Sequence, residues 1–282
     1  MWWAALWVLV IAIGAVGFVA SANSVRFAHR VTREAEALLA QAETGPTVDD
    51  RLSSGLPLPV RRYLSKAVPS RERGVRTVRL RHGGSFRPSL DGSWLPIRGE
   101  QYFATSPPGF IWWGRVRMGP GMWIDARDRS LAGSGNMLVS LESTVTLADS
   151  KGPQLDQGAL LRLLGEMAWF PTALLDERYV RWSPIDDRRA RALLTVNGRE
   201  VSGVFAFGPD DLPTTFSAER YRDVGKGQAI LTPFEGQSSD FREVAGMLVP
   251  YSMVAAWRID GRLIEYVRWS VERIEYDVDA PF

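Results

Sequence analysis

Glu166 is a carboxylate in apolar surroundings. It lies between Gly165 and Met167 in a segment rich in leucine and aromatic residues, where an ionised side chain is costly to desolvate. A raised pKa there would suit a general acid, and the carboxylate would also suit the binding of a polar head group. The simpler interpretation is an ion pair with an arginine of a neighbouring strand, such as Arg115 or Arg117, and we favour it.

Asp125 and Asp128 are two further acids close to aromatic residues. On a strand Asp125 shares its face with Arg127 while Asp128 takes the other face, so the two acids do not form a catalytic pair. Glycoside hydrolysis needs two carboxylates ~5–10 Å apart, which only a distant partner such as Glu142 or Glu166 could complete. We therefore predict no catalytic residue, and a hydrolase with dispersed carboxylates stays as an alternative.

Metal and nucleophile chemistry has little support in the sequence. The chain has two histidines and no cysteine, so a zinc site would need mostly carboxylate ligands. His29 falls in a predicted helix, and His82 precedes a Gly-Gly pair and is interpreted as a surface or turn histidine. Gly133-Ser134-Gly135 is typical of a turn and not of a nucleophile elbow. We expect no metal and no cofactor.

A block of aromatic and methionine side chains is the strongest candidate for a binding site. Trp112 and Trp113 must point to opposite faces of a strand, so both faces carry large aromatic side chains. A wide apolar cavity for a lipid tail would use these residues, and an ordinary core under a lid is the alternative. The candidate ligand-binding residues are Trp94, Phe110, Trp112, Met118, Met122, Trp123, Met137, Glu166, Met167 and Trp169.

The amino-terminal segment is a candidate membrane anchor. Trp2 to Ala20 are nineteen consecutive positions without a charge, long enough to cross a ~30 Å hydrocarbon core as a helix. Ala20-Ser21-Ala22 has the small-x-small form of a signal-peptide cleavage site. However, no lysine or arginine precedes Arg26, and the run exceeds the usual ~7–15 apolar residues of a signal peptide. We predict a retained, single-pass anchor in the cell membrane.

The charges around the anchor bear on its orientation and on the partners of the domain. Arg26, Arg30 and Arg33 follow the apolar run, and the positive-inside rule then places the domain in the cytoplasm. The net charge is +2, with 32 acidic residues interspersed among the basic ones. Because no basic stripe results, nucleic acid is not an expected partner.

Periodicity divides the rest of the chain. Helical spacing over 24–43 continues the anchor as a juxtamembrane helix, and a polar linker follows up to residue 55. A short helix is predicted in 56–64, with prolines at its start. The predicted domains are an anchor over 1–23, a juxtamembrane helix and linker over 24–55, and one β-rich domain over 56–282.

Strand patterns dominate that β-rich domain. After Gly74 short segments with period two alternate with Gly/Pro turns, and a helical insertion interrupts them at about 155–175. The clearest hairpin joins 254–259 to 262–276 through Asp260-Gly261. The expected fold class is mainly β: a large curved antiparallel sheet, as a half-barrel or open barrel, with a helical insertion, preceded by an N-terminal transmembrane helix.

Three stretches resemble a family of uncharacterised bacterial proteins, a domain of unknown function. They are LPLPVRRYL (56–64), PPGFIWWGRVRMGPGMWIDARD (107–128) and GEMAWFPTALL (165–175). The resemblance carries no established activity. By a fold-level analogy the pattern is also similar to lipoprotein carriers that hold acyl chains in a half-barrel. The analogy implies an extracytoplasmic domain, with the helix around 160–169 as a plug or lid, so the side of the membrane stays open.

These observations predict a membrane-anchored, non-enzymatic domain that binds a membrane lipid or another apolar ligand in a half-barrel. The hydrolase with dispersed carboxylates is one alternative. The other is a scaffold that binds a protein partner through an exposed aromatic face. That face would be formed by several of the tryptophans Trp94, Trp112, Trp113 and Trp123.

Overall fold

The computed structural model describes four stretches of the chain, and most of the side chains within them. These stretches are residues 2–45, 55–68, 74–225 and 227–282, without the side chains of residues 4, 5, 8–13 and 16. The predicted linker up to residue 55 therefore lies almost wholly outside the described residues, as do several side chains of the predicted anchor.

Three α-helices and two short 3₁₀ helices occur in the described chain. They are α1 (Trp2–Ala40), α2 (Leu58–Ala67), α3 (Pro153–Glu166) and the 3₁₀ helices Met167–Trp169 and Pro171–Leu175. Prolines stand in the first turn of α2 and of α3, where the missing amide hydrogen leaves no intrahelical bond unmade. Among the described residues, no helix combines the length and apolarity that crossing a bilayer requires.

In the described chain, thirteen strands form one antiparallel sheet. They are β1 (Thr77–Phe86), β2 (Leu95–Thr105), β3 (Pro108–Gly119), β4 (Met122–Leu131), β5 (Ser134–Leu141), β6 (Val145–Ser150), β7 (Val180–Pro184), β8 (Arg189–Val196), β9 (Arg199–Phe207), β10 (Pro213–Gly225), β11 (Gln228–Val244), β12 (Met247–Ile259) and β13 (Arg262–Tyr276). The spatial order is β6-β5-β4-β3-β2-β1-β13-β12-β11-β10-β9-β8-β7. Two consecutive meanders, β1 to β6 and β7 to β13, are thus joined by the pairing of β1 with β13.

Helix α3 is the link between the outer edges of the two meanders. It leaves β6 at one edge, and the chain re-enters the sheet as β7 at the other. On its way α3 contacts β3, β4 and β5 from the first meander and β9 and β10 from the second. The sheet therefore curls around α3 as a half-barrel, and the predicted mainly β fold with a helical insertion is confirmed.

The pleat of β2 and β3 supplies side chains to two separate cores. Phe103, Phe110 and Trp112 belong to the large core on the concave face, with α2 and α3. Tyr102 and Ile111 point the other way, into a smaller cluster with α1 on the convex face. The predicted opposition of Trp112 and Trp113 is confirmed, because Trp113 packs against this second cluster.

The second half of α1 is part of the folded domain. Its residues Phe27, Val31, Ala35 and Leu38 recur at helical spacing and are buried against the convex face of the sheet. Glu34 of the same helix lies 3.4 Å from Arg127 on β4. The helix that carries the apolar amino-terminal run is therefore fixed to the sheet along its later turns.

Leu164 tests the contribution of α3 to the concave core. This side chain is fully buried in the large core, so Leu164→Ala should lower the free energy of unfolding by about 2–5 kcal/mol through lost burial and a cavity. Leu58→Ala on α2 is the control, since Leu58 is 43% exposed and should change stability by less than about 0.5 kcal/mol. Urea unfolding of the full chain in mild detergent measures both. Equal losses would show that α3 does not anchor the core.

Candidate binding site

A cavity of about 250 Å³ lies between α3 and the concave face of the sheet. Its wall is mostly apolar, with Met137 and Met253 among the lining side chains, and a few charged groups approach it. The principal aromatic lining residues are Trp112, Trp169, Phe216, Phe234, Trp257 and Trp269. Five of these six rings come from five different strands, β3, β10, β11, β12 and β13, so the curl of the sheet brings them together.

Glycines beside two of the rings make room for them. A Cβ atom at Gly203 would lie 2.2 Å from the ring of Phe216, and one at Gly114 would lie 2.2 Å from the ring of Trp112. Real Cβ atoms do not approach so closely, because packed interiors leave no space for such overlap. The sequence thus sets the position of both rings through residues that carry no side chain.

Arg162 of α3 is the polar centre of the site. Its Nε donates to Oε1 of Glu166 at 2.8 Å, and Nη1 donates to Oδ2 of Asp128 at 2.8 Å. Gln101 completes the network, accepting from Nη2 at 3.2 Å and donating its amide to Oε2 of Glu166 at 2.7 Å. These are charge-assisted hydrogen bonds with little access to water, and they hold α3 against β2 and β4.

Aromatic rings surround the same guanidinium. Its central carbon lies 4.9–5.1 Å from the ring centroids of Phe110, Trp112 and Trp269. The faces of these rings attract a cation, an effect that strengthens where water is excluded. Arg162 therefore joins the acidic side of the cavity to its aromatic side.

The balance of charge in this network is negative. Asp128 and Glu166 contribute two carboxylates to one guanidinium, and burial raises the pKa of Glu166 above its ordinary value. The hydrogen bonds from Arg162 and Gln101 offset only part of that rise. Glu166 thus forms the predicted ion pair, but with Arg162 one turn earlier on its own helix. The expected partner Arg115 instead binds Asp125 on the convex face, at 2.8 Å.

His82 is buried, and its predicted surface or turn position is wrong. It lies within β1, where its Nε2 accepts a hydrogen bond from Nε1 of Trp112 at 2.8 Å and its ring stacks on Trp269 at 4.3 Å. Burial, with the nearby charge of Arg162, lowers the pKa of His82 to about 3. His82 is therefore neutral and holds Trp112 in place. The His82 ring fits at this position because Gly99, on the neighbouring strand β2, has no side chain.

Arg220 brings a second cation to the cavity. Its Nη1 donates to the hydroxyl of Tyr266 at 3.3 Å, and the guanidinium lies 5.1 Å from the ring centroid of Phe234. Among the described residues it forms no ion pair, and its buried Nε has no hydrogen-bond partner. A cation without a counter-ion at an apolar cavity favours an acidic group on whatever binds there.

The structure brings six of the ten candidate residues to this region. Trp112, Met137, Glu166 and Trp169 line the cavity, and Phe110 and Met167 are buried beside them in the large core.

The other four candidates, Trp94, Met118, Met122 and Trp123, lie elsewhere. Trp94 precedes β2 and packs under two guanidinium groups. Met118 and Met122 flank the turn between β3 and β4 and are 41% and 45% exposed. Trp123 donates to Asp125 at 2.8 Å on the convex side. The side chains of Asp125 and Asp128 thus point to opposite faces, as predicted.

Four important cavity residues were not among the candidates. Arg162 was detectable from sequence, because an arginine four positions before Glu166 on a helix is a natural partner for it. Trp257, Trp269 and Arg220 carried no such signal, since strands far apart in sequence bring them together. In the described part of the chain, no group of three or more His, Asp or Glu side chains is placed to hold a metal ion.

Glu166→Gln tests the charge balance of the network. Burial raises the pKa of Glu166 in the folded chain above the ~4.3 of a glutamate in the unfolded chain. Between these two pKa values the unfolded chain has released the proton while the folded chain still holds it. The free energy of unfolding of the wild type therefore decreases as the pH rises through this interval. Glutamine does not titrate. The stability of Glu166→Gln relative to the wild type should therefore increase from about pH 4 to pH 7.

Urea unfolding of the full chain at both pH values measures this difference. Glu219→Gln, at an exposed position, is the control for removal of a carboxylate. A difference between Glu166→Gln and the wild type that falls as the pH rises would contradict the assignment.

Comparison with solved structures finds distant likenesses, among them the following three proteins. A domain from Vibrio parahaemolyticus described as an outer membrane lipoprotein-sorting protein is 8% identical, with a TM-score of 0.40, over 72% of this chain and 86% of that one. A LolA superfamily protein from Nitrosomonas europaea is 10% identical, with a TM-score of 0.37, over 82% and 93%. A β-barrel-like protein of the domain of unknown function DUF1849 from Brucella abortus is 13% identical, with a TM-score of 0.26, over 72% and 99%.

Comparison of sequences places the chain in a family. No curated protein matches it. Residues 46–269, which include every strand from β1 to β12 and the greater part of β13, match a family of unknown function. The predicted membership of an uncharacterised family is thereby confirmed: the chain belongs to the family of unknown function DUF6544.

Proposed function

We propose that this protein is a membrane-tethered, non-enzymatic domain that binds a lipid, or another apolar ligand with an acidic group, in its concave cavity. The observation that carries the proposal is an aromatic cavity approached by Arg220, a cation without an ion-pair partner among the described residues. Apolar walls favour an apolar body, and a few placed polar groups fix its orientation.

The size of the cavity suits part of an acyl chain. Its volume is about 250 Å³, just below the ~300–1,000 Å³ range of small-molecule pockets. A methylene group occupies about as much space as a water molecule in the liquid, ~30 Å³, so roughly eight such groups would fit. Met137 and Met253 line this space, and their flexible thioethers can adapt to ligands of different shape.

The tether is the apolar run over Trp2–Ala20. The described side chains at the start of α1 are apolar and exposed, among them Trp2, Trp3, Leu6 and Trp7. Such a surface is unfavourable in water and favourable in a bilayer, where tryptophan concentrates at the interface. We therefore propose a single-pass anchor in the cell membrane, and the following Arg26 favours the cytoplasmic face for the domain.

The two alternative functions fit the geometry less well. A hydrolase needs carboxylates available to a substrate, but Asp128 and Glu166 are both hydrogen-bonded to Arg162. A protein-binding face would need several of Trp94, Trp112, Trp113 and Trp123 in one exposed patch. Trp112 is buried in the concave core, and Trp123 is bound to Asp125 on the convex side.

Gly236→Leu tests the proposed ligand site. The atoms nearest to a Cβ atom at Gly236 would be the ring of Phe234 at 3.8 Å and the carbonyl oxygen of Phe216 at 3.9 Å, so a leucine side chain can enter the cavity from β11. Native mass spectrometry of the full chain, released from detergent, should show one bound lipid on the wild type. The variant should have lost it, because its side chain occupies the same space.

Thr146→Leu, on the exposed edge strand β6, is the matched control and should keep the lipid. A wild-type chain without bound lipid, or equal lipid on Gly236→Leu and the wild type, would refute the proposal.

A further inference from the structure

We infer that a second site, on the convex face, binds the phosphate of an anionic phospholipid at the membrane surface. The site is a cleft of about 1000 Å³ between the start of β2 and the β3–β4 turn. Its charged lining residues are Arg98, Arg115, Arg117 and Glu272. The inference rests on the proposed membrane anchor and is independent of the concave cavity.

Like charges face each other across the strands of this cleft. Arg98 on β2 is directly opposite Arg115 on β3, and Arg117 lies two residues further along the same face. Like charges in directly opposed positions destabilise a sheet, and an anion close to both reduces their repulsion. Asp125 neutralises Arg115. Arg98 and Arg117 are exposed, and among the described residues neither forms an ion pair.

The contacts of α1 place this cleft close to the anchor. Nη2 of Arg115 donates to the hydroxyl of Ser24 at 2.7 Å, and the side-chain amide of Asn23 donates to the hydroxyl of Thr144 at 3.2 Å. Ser24 follows Ala20, the last residue of the apolar run, by four positions, which is ~6 Å along a helix. The arginines therefore lie at the depth of the phospholipid head groups.

The β3–β4 turn points in the same direction as the anchor. At the start of β3, Gly109 lies against Leu38, and further along Arg115 lies against Ser24. The two paths have matching lengths, ~21 Å along the helix and ~20 Å along the strand, so their axes are nearly parallel. Gly119 is a further ~14 Å along β3 from Arg115, and the turn thus passes the level of Ala20 by ~8 Å.

The composition of the turn fits that depth. The segment Met118–Met122 consists of two exposed methionines around Gly-Pro-Gly, without a charge. Interfacial segments enter a membrane by ~5–10 Å with apolar side chains, while neighbouring basic residues bind anionic lipids. An apolar turn beside Arg98 and Arg117 has both features.

The test uses the full chain, whose lack of cysteine allows a single label. Met122→Cys carries the environment-sensitive dye NBD, and the protein is reconstituted into phosphatidylcholine vesicles with increasing phosphatidylglycerol. We expect a blue shift of NBD emission that rises with phosphatidylglycerol. Replacing Arg98 and Arg117 with glutamine should raise the phosphatidylglycerol fraction needed for half of the shift, by about fivefold per arginine.

Arg181→Gln with Arg191→Gln, two exposed arginines on β7 and β8, is the matched control and should leave the shift unchanged. Equal emission shifts in phosphatidylcholine vesicles with and without phosphatidylglycerol would overturn the inference. It would also be overturned if the Arg98 and Arg117 variant, with the unfolding temperature of the wild type, gave the same shift as the wild type. Reversal of the shift by excess inorganic phosphate would also overturn it in favour of a free anion.

Carbonate extraction of the same vesicles tests the anchor separately. The anchored chain should stay with the lipid, and its release would remove the basis for the depth of the cleft. Native mass spectrometry of the Arg98 and Arg117 variant should still show lipid in the concave cavity, which separates the two sites.

Discussion

The arrangement of the molecule depends on one buried cation. Arg162 binds Asp128 from β4, Gln101 from β2 and Glu166 from its own helix, and its guanidinium lies against three aromatic rings. Breaking a buried pair of this kind leaves a charge without compensation, which is costly. The position of α3 inside the half-barrel, and therefore the shape of the cavity beside it, follows from these contacts.

The topology explains why one residue can have this influence. Within the described chain, strands of the two meanders pair only at β1–β13, and away from that pair their β4–β5 and β8–β9 turns approach each other, with Asn197 donating to the carbonyl oxygen of Ala132. Helix α3 lies inside the curled sheet and contacts strands of both meanders. His82 and Trp112 connect the β1–β13 junction to Arg162 through a hydrogen bond and stacked rings. The packed rings and the ion pairs of the concave face thus form one connected network, and α1 packs separately on the convex face.

Much of the fold was accessible from local patterns, and the site was accessible only in part. Gly/Pro turns and period-two segments indicated the sheet, and Asp260-Gly261 indicated its last hairpin, because both signals are local. Gln228–Val244 carries many polar residues that do not alternate with apolar ones, so period two gives little signal for β11. Trp112 and Glu166 were found through their neighbours in sequence. Arg220 and Trp257 become neighbours of the cavity only through the curl of the sheet.

The burial of His82 shows the limit of such reasoning most clearly. A histidine before two glycines is typical of a turn, but here the glycines let β1 approach β13 closely at a bulge beside His82. The backbone around Gly84 would leave 2.0 Å between a Cβ atom and the carbonyl oxygen of Arg268. The same residues that suggested an exposed turn thus allow a buried, neutral histidine under two tryptophans.

The most direct test of the central claim, that the concave cavity holds an acyl chain, is photo-crosslinking with a phospholipid that carries a diazirine in its acyl chain. The full chain is reconstituted with this lipid, irradiated and digested, and the adducts are located by mass spectrometry. Adducts on Met137, Met253 and Trp257, which line the cavity from different strands, are the predicted result. Adducts confined to the apolar run of α1 and the β3–β4 turn would contradict the claim, since they would show that lipid contacts only the outside of the protein.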